Sequence, residues 1–457
     1  MNLAQSLLNA CERHPEAEAF PGLTYGALLP RIGRIAGGLA AHGAREGDRV
    51  ALVRDNGLET ALLYWATQWL GGVAVPLSWR LPQPDLDYCV ADCGASVVIG
   101  MADALPDGPE HEGALGRDER EVSLILYTSG TTGRPKGVPR SHRADRAGGL
   151  SQALQHGYLP GDRTLGVMPL YHTMGIHSLL AMHLVGGCFV AQARWDAGEA
   201  LELIQRERIT SLYLAPTLFH DLVHHPDLPE IDVSSVRALG YAGAPMTGAL
   251  VERCAAAFEP DVFVNHYGST EIYTFSVHRD QAAKPGCAGR PALNARLRLG
   301  EGDEILCHLS SDEAFEGYWQ RPDANAKAIR DGWYHTGDVG RIDADGDLWV
   351  IGRVDDMIIS GGENIHPVEV EDVLARHPAV REVAVVGAPD DRWGQRVVAV
   401  VVAGGDVDAA ELDAHCLASD ALARFKRPRE YRFVEELPKS PSGKILRRLL
   451  REERVRA

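Results

Sequence analysis

Short apolar runs alternate along this chain with longer stretches of amphipathic spacing. Asp48–Val53 and Val73–Leu77 are apolar runs of strand length, and Leu58–Leu70 between them has the spacing of a helix. The same step recurs where Ala197–Arg208 predicts a helix and Thr210–Leu214 predicts a strand. Repeated strand–helix–strand order predicts an α/β fold, with a large N-terminal domain of mostly parallel sheets flanked by helices.

Three further predicted strands end in clusters of small and polar residues. These strands are Val122–Leu126, Ser235–Tyr241 and Asp261–His266. Ligands of parallel sheets bind beyond the carboxyl ends of the strands. We therefore expect a small-molecule site where these three strands end.

The pattern changes after residue 330. Arg341–Asp343 and Leu348–Ile351 flank Asp345-Gly346, which predicts a hairpin. Leu348 stands where a calcium loop requires glycine, so the hairpin is preferred. The remaining residues predict a small α+β domain. Its elements are helices at Pro367–Arg376 and Ala409–Leu422 and strands at Val383–Val386, Val397–Val402 and Glu430–Val434.

Length and charge exclude several classes of protein. A chain of 457 residues is too long for one ordinary core, and a net charge of −17 argues against nucleic-acid binding. No apolar run has the length of a membrane span, and the N-terminus lacks the order of a signal peptide. Eight cysteines without a Cys-x-x-Cys pair predict free thiols. We expect a cytoplasmic enzyme without nucleic-acid or membrane partners, and a homodimer stays open.

Residues 127–137 are the strongest candidate for chemistry. They run Tyr-Thr-Ser-Gly-Thr-Thr-Gly-Arg-Pro-Lys-Gly, directly after a predicted strand. Glycine lets backbone N–H groups approach an anion, and hydroxyls and lysine add donors and charge. The spacing does not fit the P-loop of ATPases, because Lys136 is followed by glycine rather than serine or threonine. Taken alone, the segment is either a phosphate loop or a surface turn.

Five later segments decide between these two interpretations. They are Pro169–Gly175, His266–Glu271, Gly332–Asp338, Gly352–Ile365 and Pro438–Lys444. Together with the loop, in this order, they resemble the adenylate-forming superfamily over nearly the whole chain. Residues 352–448 are most similar to the aryl-CoA ligases of the 4-chlorobenzoate type. The resemblance implies that ATP converts a carboxylic acid to an acyl-adenylate with release of pyrophosphate, and that a thiol then accepts the acyl group.

The resemblance also assigns roles at the nucleotide. Lys136 and the loop would hold the phosphates, Thr270 would donate to the α-phosphate, and Lys444 would bridge carboxylate and α-phosphate. Glu271 and Thr128 would hold Mg²⁺, since carboxylate and hydroxyl oxygens suit this ion. The remaining implied ATP contacts are Ser129, Gly130, Thr131, Thr132, Gly133, Tyr267, Asp338 and Arg353.

A movement of the small domain is the next implication. A lysine beside the acyl-adenylate would obstruct the thiol, and the family removes it by rotating the small domain. The implied division is a domain at 1–353, a hinge at 354–355 with Asp355 as its pivot, and a mobile domain at 356–457. Rotation would exchange Lys444 for the Gly361-Gly362 face. His172 matches an aromatic gate beside the thiol tunnel.

The two remaining substrates are less strongly determined. Residues 421–457 carry twelve Lys and Arg against five Glu, which favours coenzyme A as the acceptor, whereas a carrier-protein phosphopantetheine stays open. The predicted contacts of coenzyme A are Gly361, Gly362, Trp393, Phe425, Arg427 and Arg429. The predicted acid pocket contains Thr173, Met174, Ala242, Gly243, Gly268, Tyr273 and Thr274.

Small residues in this pocket favour a flat benzoate-type acid, and the hydroxyls of Tyr273 and Thr274 favour a hydroxylated one. A short aliphatic or alicyclic acid stays open. A nucleotide-binding protein without turnover is the alternative from another class. The presence of Lys136, Glu271 and Lys444 argues against it.

Overall fold

The structure, a computed structural model, describes residues 1–128, 134–440 and 443–452. Its helices follow the amphipathic stretches of the sequence, and most begin at a capping residue or a proline. Within the described residues they are α1 (Leu3–Arg13), α2 (Tyr25–Ala41), α3 (Leu58–Leu70), α4 (Gln83–Cys93), α5 (His142–His156), α6 (Thr173–Val185), α7 (Ala197–Glu207), α8 (Pro216–Val223), α9 (Gly248–Phe258), α10 (Pro322–Ala328), α11 (Pro367–Leu374), α12 (Ala409–Ala418) and α13 (Arg447–Glu452).

The strands follow the short apolar runs. In chain order they are β1 (Glu18–Phe20), β2 (Leu23–Thr24), β3 (Arg49–Leu52), β4 (Val73–Pro76), β5 (Val97–Ile99), β6 (Val122–Thr128), β7 (Lys136–Ser141), β8 (Arg163–Gly166), β9 (Cys188–Ala191), β10 (Ser211–Leu214), β11 (Ala238–Tyr241), β12 (Val262–Tyr267), β13 (Ser276–His278), β14 (Arg290–Pro291), β15 (Leu297–Leu299), β16 (Glu304–His308), β17 (Ile329–Arg330), β18 (Trp333–Ile342), β19 (Leu348–Arg353), β20 (Ile358–Ser360), β21 (Glu363–Ile365), β22 (Val380–Asp390), β23 (Gly394–Ala403) and β24 (Glu430–Phe433).

Two mostly parallel sheets form the larger part of the molecule, which confirms the predicted fold class. One has the order β5-β3-β4-β6-β7 and the other the order β14-β13-β12-β11-β10-β8-β9. Helix α5 lies between them, because it contacts β6 of the first sheet and β11 and β12 of the second. The predicted helix Leu58–Leu70 has the same bounds in the structure. Each sheet has its own buried apolar core.

The loop motif has a shape that the sequence did not predict. Strand β7 pairs antiparallel with β6, so that Tyr127 lies opposite Gly137 and Thr128 opposite Lys136. Both ends of the motif are therefore strands of a hairpin rather than parts of one open loop. Residues Ser129, Gly130, Thr131, Thr132 and Gly133 lie outside the described residues.

A third sheet contains the predicted hairpin. It has the order β15-β16-β18-β17, with β19 paired to β18, and its strand pairs are antiparallel. Gly346 adopts a φ of +83° in the turn, as the Asp-Gly signal predicts. The amino group of Lys284 lies 2.7 Å from Asp343 and 2.6 Å from Asp347, so a lysine offsets part of the negative charge of this turn.

The C-terminal residues form the predicted α+β unit. Its sheet has the order β21-β20-β23-β22, with β24 parallel to β23, and α11 and α12 cover one face. The strands β22 and β23 are longer than predicted, because their pairing continues through polar residues to Asp390 and Gly394. Helix α12 ends at Ala418, four residues before the predicted end.

Two sequence-based expectations concern side chains and membranes. All eight cysteines are free and buried, which agrees with the prediction of free thiols. Among the helices of the described ranges, none combines the length and the apolarity that crossing a bilayer would require.

Candidate active site

The predicted polar clusters meet at one edge of the two large sheets. Strands β6, β11 and β12 end at Thr128, Tyr241 and Tyr267. Helix α6 begins at Thr173 beside them, because the Thr173 hydroxyl oxygen lies 3.4 Å from that of Thr270. Parallel strands place their carboxyl ends on the same side, which explains how segments far apart in sequence come together.

Glu271 and Lys136 meet across a tyrosine that the sequence analysis missed. Glu271 is only 7% exposed, and its Oε1 accepts a 2.7 Å hydrogen bond from the Tyr318 hydroxyl. The Lys136 ammonium lies 4.5 Å from the centre of the Tyr318 ring. Burial, and then the charge of Glu271, raise the Tyr318 pKa, so this hydroxyl stays a donor. Tyr318 belongs to none of the quoted motifs, so no local signal indicated it.

Glu271 fits the predicted role of a magnesium ligand by its chemistry. It is a buried carboxylate beside a lysine-bearing hairpin, and carboxylate oxygens are the protein ligands that Mg²⁺ takes alongside phosphates. Thr128 ends the strand opposite Lys136, and its hydroxyl lies 3.4 Å from the Lys136 carbonyl oxygen. Both predicted oxygen donors therefore border the same hairpin.

The start of α6 presents donors at the centre of the site. The Nδ1 atom of His172 caps this helix by accepting from the Met174 N–H at 3.3 Å. Burial, and then the charge of Lys444, lower the His172 pKa to about 4. His172 is thus neutral near pH 7, and because Nδ1 accepts, its proton is on Nε2. The N-terminal end of a helix favours negative charge, which suits a carboxylate or phosphate here.

A half-buried carboxylate marks the position predicted for the ribose. Asp338 lies opposite Arg353 in the β18–β19 pair, with 3.6 Å between Oδ1 and Nε. Its Oδ2 accepts a 2.7 Å hydrogen bond from the Tyr267 hydroxyl. Burial raises the pKa of Asp338, and the charge of Arg353 and the Tyr267 hydrogen bond oppose this rise. The predicted group Tyr267, Asp338 and Arg353 is therefore assembled.

Lys444 reaches this group from the C-terminal unit. The Gly443 carbonyl accepts a 3.1 Å hydrogen bond from the Thr217 hydroxyl of α8, which holds the lysine turn against the larger part of the molecule. Lys444 follows Gly443 in this turn and is exposed to solvent. Desolvation there, and then the charge of Arg353, lower its pKa, whereas Asp338 opposes this shift. Lys444 is thus within electrostatic reach of Asp338, Arg353 and His172.

The predicted acid-pocket residues lie along α6 and the ends of β11 and β12. Thr173, Met174 and Ala242 are buried, and Gly243 has a φ of +83° with Met174 sulfur as its near neighbour. A Cβ at Gly268 would lie 1.8 Å from the Tyr273 carbonyl oxygen, so this position requires glycine.

The hydroxyls of Tyr273 and Thr274 do not face open space, contrary to the prediction. Tyr273 donates to Gln152 at 2.6 Å, lies 3.2 Å from the Tyr213 hydroxyl and stacks on the His177 ring. The Thr274 side chain is completely buried. The Tyr273 hydroxyl turns inward because polar groups on α5 and β10, Gln152 and Tyr213, lie behind it. This interior was not visible in the local sequence.

The residues predicted to bind coenzyme A form a separate surface. Gly361 donates to the Trp393 carbonyl at 2.8 Å, and a Cβ at Gly361 would lie 2.8 Å from the Trp393 ring. Trp393, Phe425 and Arg429 are exposed, and Gly362 has open space around it. Arg392, which was not predicted, lies 4.7 Å from the Trp393 ring centre.

Two predicted residues in this region have protein partners of their own. Arg427 donates to Asp413 at 2.8 Å, so a phosphate would have to share or replace that partner. Asp355 lies in a short turn after β19, and its carbonyl accepts from Arg451 at 3.3 Å. Asp355 thus lies between β19 and β20, and its role as a hinge stays a prediction.

Comparison with known proteins decides the family. Residues 7–308 match the model of AMP-binding enzymes, and residues 369–444 match the model of the C-terminal domain of these enzymes. The chain belongs to the AMP-binding enzyme family.

Three relatives illustrate the range of this family. A feruloyl-CoA synthase from an Amycolatopsis species is 37% identical, over 93% of this chain and 92% of its own. A 4-chlorobenzoate–CoA ligase from an Arthrobacter species is 33% identical, over 94% and 90%. The solved fatty acyl CoA synthetase of Mycobacterium tuberculosis is 31% identical, with a TM-score of 0.75 over 99% of this chain and 98% of its own.

These findings confirm the predicted superfamily, its similarity to aryl-CoA ligases and the enzyme class of AMP-forming acid–thiol ligases. ATP and coenzyme A fit this class as substrates. The roles of individual residues and the identity of the acid stay predictions.

Proposed function

We propose that this protein is an ATP-dependent acid–CoA ligase that activates a benzoate-type carboxylic acid. The proposal rests on one observation above the others, the 3.1 Å hydrogen bond from Thr217 to Gly443, which holds the Lys444 turn against the larger part of the molecule within electrostatic reach of Asp338, Arg353 and His172. A cation delivered by the C-terminal unit to the side of the molecule that holds Asp338 and His172 suits the joining of two anions. A nucleotide-binding protein without turnover has no use for such a lysine.

The first half-reaction follows from these positions. A carboxylate oxygen of the acid attacks the α-phosphorus of ATP, the bond to the bridging oxygen breaks, and pyrophosphate leaves. Lys444 and Thr270 would stabilise the charge that develops on the α-phosphate oxygens. Lys136 would hold the leaving pyrophosphate, and Asp338 would fix the ribose through its two oxygens.

Glu271, with Thr128, would hold Mg²⁺, which supplies charge neutralisation at the phosphates when bound. The chain's own contribution is to keep this carboxylate in place. Tyr318 does so by a 2.7 Å hydrogen bond and also lies beneath Lys136. One tyrosine thereby sets the distance between the metal ligand and the pyrophosphate ligand.

The second half-reaction needs access for a thiol. The sulfur of coenzyme A attacks the acyl carbonyl carbon, and AMP leaves with the bonding electrons. The hydrogen bond from Thr217 to Gly443 joins two neutral groups and can break when the C-terminal unit moves, which is compatible with withdrawal of Lys444 after adenylation. The exposed Trp393 ring and Arg429 support coenzyme A as the acceptor, since they offer a stacking face and a phosphate partner.

The choice of acid is supported by small residues and by relatives. Ala242 and Gly243 are small residues next to Met174, and the feruloyl and 4-chlorobenzoate ligases are similar over nearly the whole chain. A hydroxylated benzoate is no longer supported, because the Tyr273 hydroxyl is hydrogen-bonded to Gln152 and the Thr274 side chain is completely buried. The fatty acyl relative keeps an aliphatic acid as the alternative.

Acid-dependent release of pyrophosphate tests the proposal. The panel contains benzoate, 4-chlorobenzoate, ferulate, cyclohexanecarboxylate and butyrate, each with ATP and Mg²⁺, with and without coenzyme A. We expect pyrophosphate with at least one benzoate-type acid, and its CoA thioester when coenzyme A is present. Release only with the last two acids would overturn the choice of acid. Adenylate formation without thioester would favour a carrier protein as acceptor, and no release with any acid would contradict the ligase.

A further inference from the structure

A completely buried ion pair lies directly behind the phosphate-side residues of the site. Arg140 on β7 and Asp145 on α5 are both 0% exposed, and the Arg140 Nε donates to Asp145. Burial opposes the ionisation of Asp145, but the charge of Arg140 and contacts with His177 together hold its pKa below the ordinary value. The pair is therefore ionised inside the molecule.

The arginine also holds the backbone of the site. Its Nη1 donates a 2.8 Å hydrogen bond to the carbonyl of Thr270, a residue 130 positions later in the chain. Arg140 lies four residues after Lys136 on the same strand. One side chain thus ties the hairpin that carries Lys136 to the turn that carries Thr270 and Glu271.

Asp145 extends this connection to residues of the predicted acid pocket. Asp145 Oδ1 lies 3.5 Å from His177 Nε2, and His177 Nδ1 is hydrogen-bonded to the Thr173 carbonyl at 3.0 Å. The His177 ring stacks on Tyr273 with 3.7 Å between centroids. A Cβ at Gly148 would lie 2.8 Å from His177 Nε2, so a glycine on α5 is what admits this ring.

Packing alone does not explain this ion pair, because moving two charges out of water costs free energy. Replacing a buried ion pair by apolar residues is often neutral or stabilising, so such a pair is weak evidence for stability. Arg140 Nη2 also lacks a hydrogen-bond partner among the described residues. What the guanidinium supplies, and an apolar side chain would not, is a donor aimed at the Thr270 carbonyl.

We propose that Arg140 and Asp145, extended by His177, form a buried positioning unit that fixes Thr270 relative to Lys136 and Thr173 for the adenylation step. None of the three touches substrate in this proposal. It rests on the proposed function, because Thr270 matters only if it meets the α-phosphate. A displacement of about 1 Å at such a group can cost about a hundredfold in rate.

Arg140→Lys is the sharpest test. Lysine keeps the charge opposite Asp145 but has one nitrogen, so it does not reach both Asp145 and the Thr270 carbonyl with the geometry of a guanidinium. We expect the kcat of acid-dependent pyrophosphate release to fall by about tenfold to a hundredfold, while the KM values for ATP and acid change by less than about threefold.

Arg237→Lys is the matched control. Arg237 also joins a buried aspartate, Asp162, to a backbone carbonyl, that of Gly157, which its Nη2 reaches at 3.0 Å. Its partners lie at the opposite ends of the strands, away from Thr270. We expect wild-type kcat from this variant. An equal fall in both variants, or an unchanged kcat in Arg140→Lys, would overturn the proposal.

A second variant covers the case in which Arg140→Lys does not fold. Replacing both partners, as Arg140→Leu with Asp145→Leu, leaves no unpaired buried charge. We expect a melting temperature close to that of wild type together with the same fall in kcat, whereas wild-type kcat would refute the positioning role. If wild type itself releases no acid-dependent pyrophosphate, the proposed function fails, and this outcome is distinct from all of the above.

Discussion

The nucleotide side of the site and the turn that carries Lys444 are held in different ways. Glu271 and Asp338 are each hydrogen-bonded by a tyrosine, and Thr270 is held from behind by a buried arginine. Lys444 lies in an accessible turn that is attached to α8 through Thr217. The groups proposed to bind nucleotide are thus held by hydrogen bonds from side chains around them, and the lysine proposed to withdraw between the two steps lies in an exposed turn.

The largest expected effect concerns Lys444. Lys444→Ala should lower the rate of acyl-adenylate formation by about 10²- to 10³-fold, because a charge aimed at the transition state is lost. Thioester formation from supplied acyl-adenylate should change little. Pyrophosphate release and thioester yield measure the two steps separately. Lys439→Ala is the control, since Lys439 is paired with Glu382 at 2.8 Å. Equal loss of both steps would contradict a lysine that leaves after adenylation.

A smaller effect is expected from a change at Tyr318, on the nucleotide side of the site. Tyr318→Phe keeps the ring beneath Lys136 but removes the hydrogen bond to Glu271. A hydrogen bond to a charged group contributes about 1.5–3 kcal/mol, so kcat/KM for MgATP should fall by about tenfold or more. The Mg²⁺ dependence of the rate should shift to higher concentration. Tyr431→Phe, whose hydroxyl contacts Cys416 in the C-terminal unit, is the control. An unchanged Mg²⁺ dependence would argue against the placement of the ion at Glu271.

The attachment of the lysine turn is a still finer test. Thr217→Val removes the hydrogen bond to Gly443 and should slow adenylation by about twofold to tenfold, the effect of one neutral hydrogen bond. Thioesterification of supplied acyl-adenylate should not slow, since that step needs the turn to leave. Thr67→Val, which removes a hydroxyl bond to Leu63 in α3, is the matched control. If Thr217→Val also slowed the second step, the hydrogen bond to Gly443 would be needed in both half-reactions, which would contradict its release after adenylation.

Acid pH should destabilise the larger part of the molecule more than the C-terminal unit. Burial lowers the pKa of His142 to about 4, of His183 to about 4 and of His266 to about 3, from 6.5. The unfolded chain therefore binds more protons than the folded one below pH 6.5, and stability falls as pH drops from 6.5 toward 4. Each group contributes up to about 1.4 kcal/mol per pH unit in this window.

These three histidines lie in the larger part of the molecule. Hydrogen exchange at pH 7.5 and 5.5 should show greater opening there than in residues 358–433, after correction for intrinsic rates. The profile of activity against pH should not bend near pH 7 because of His172, since this side chain is already neutral there. Equal loss of protection in both parts would refute this assignment.

Much of the fold could be predicted because its signals are local. Helix α3 has the predicted bounds, and the turn at Gly346 follows from an Asp-Gly pair. The antiparallel return of β7 was missed, since it depends on pairing with β6 rather than on a pattern within Lys136–Ser141. The long ends of β22 and β23 were missed for the same reason, because polar residues there are paired strands.

The sequence by itself determined the kind of chemistry, since Lys136, Glu271, Asp338 and Lys444 stand in segments of recognisable order. Only the tertiary structure decided which groups support them. Tyr318 lies 47 residues from Glu271, and Arg140 lies 130 residues from Thr270. The structure also turned the Tyr273 hydroxyl toward Gln152 instead of the acid. Such contacts depend on which helix and strand faces meet, and no pattern within a short segment contains that information.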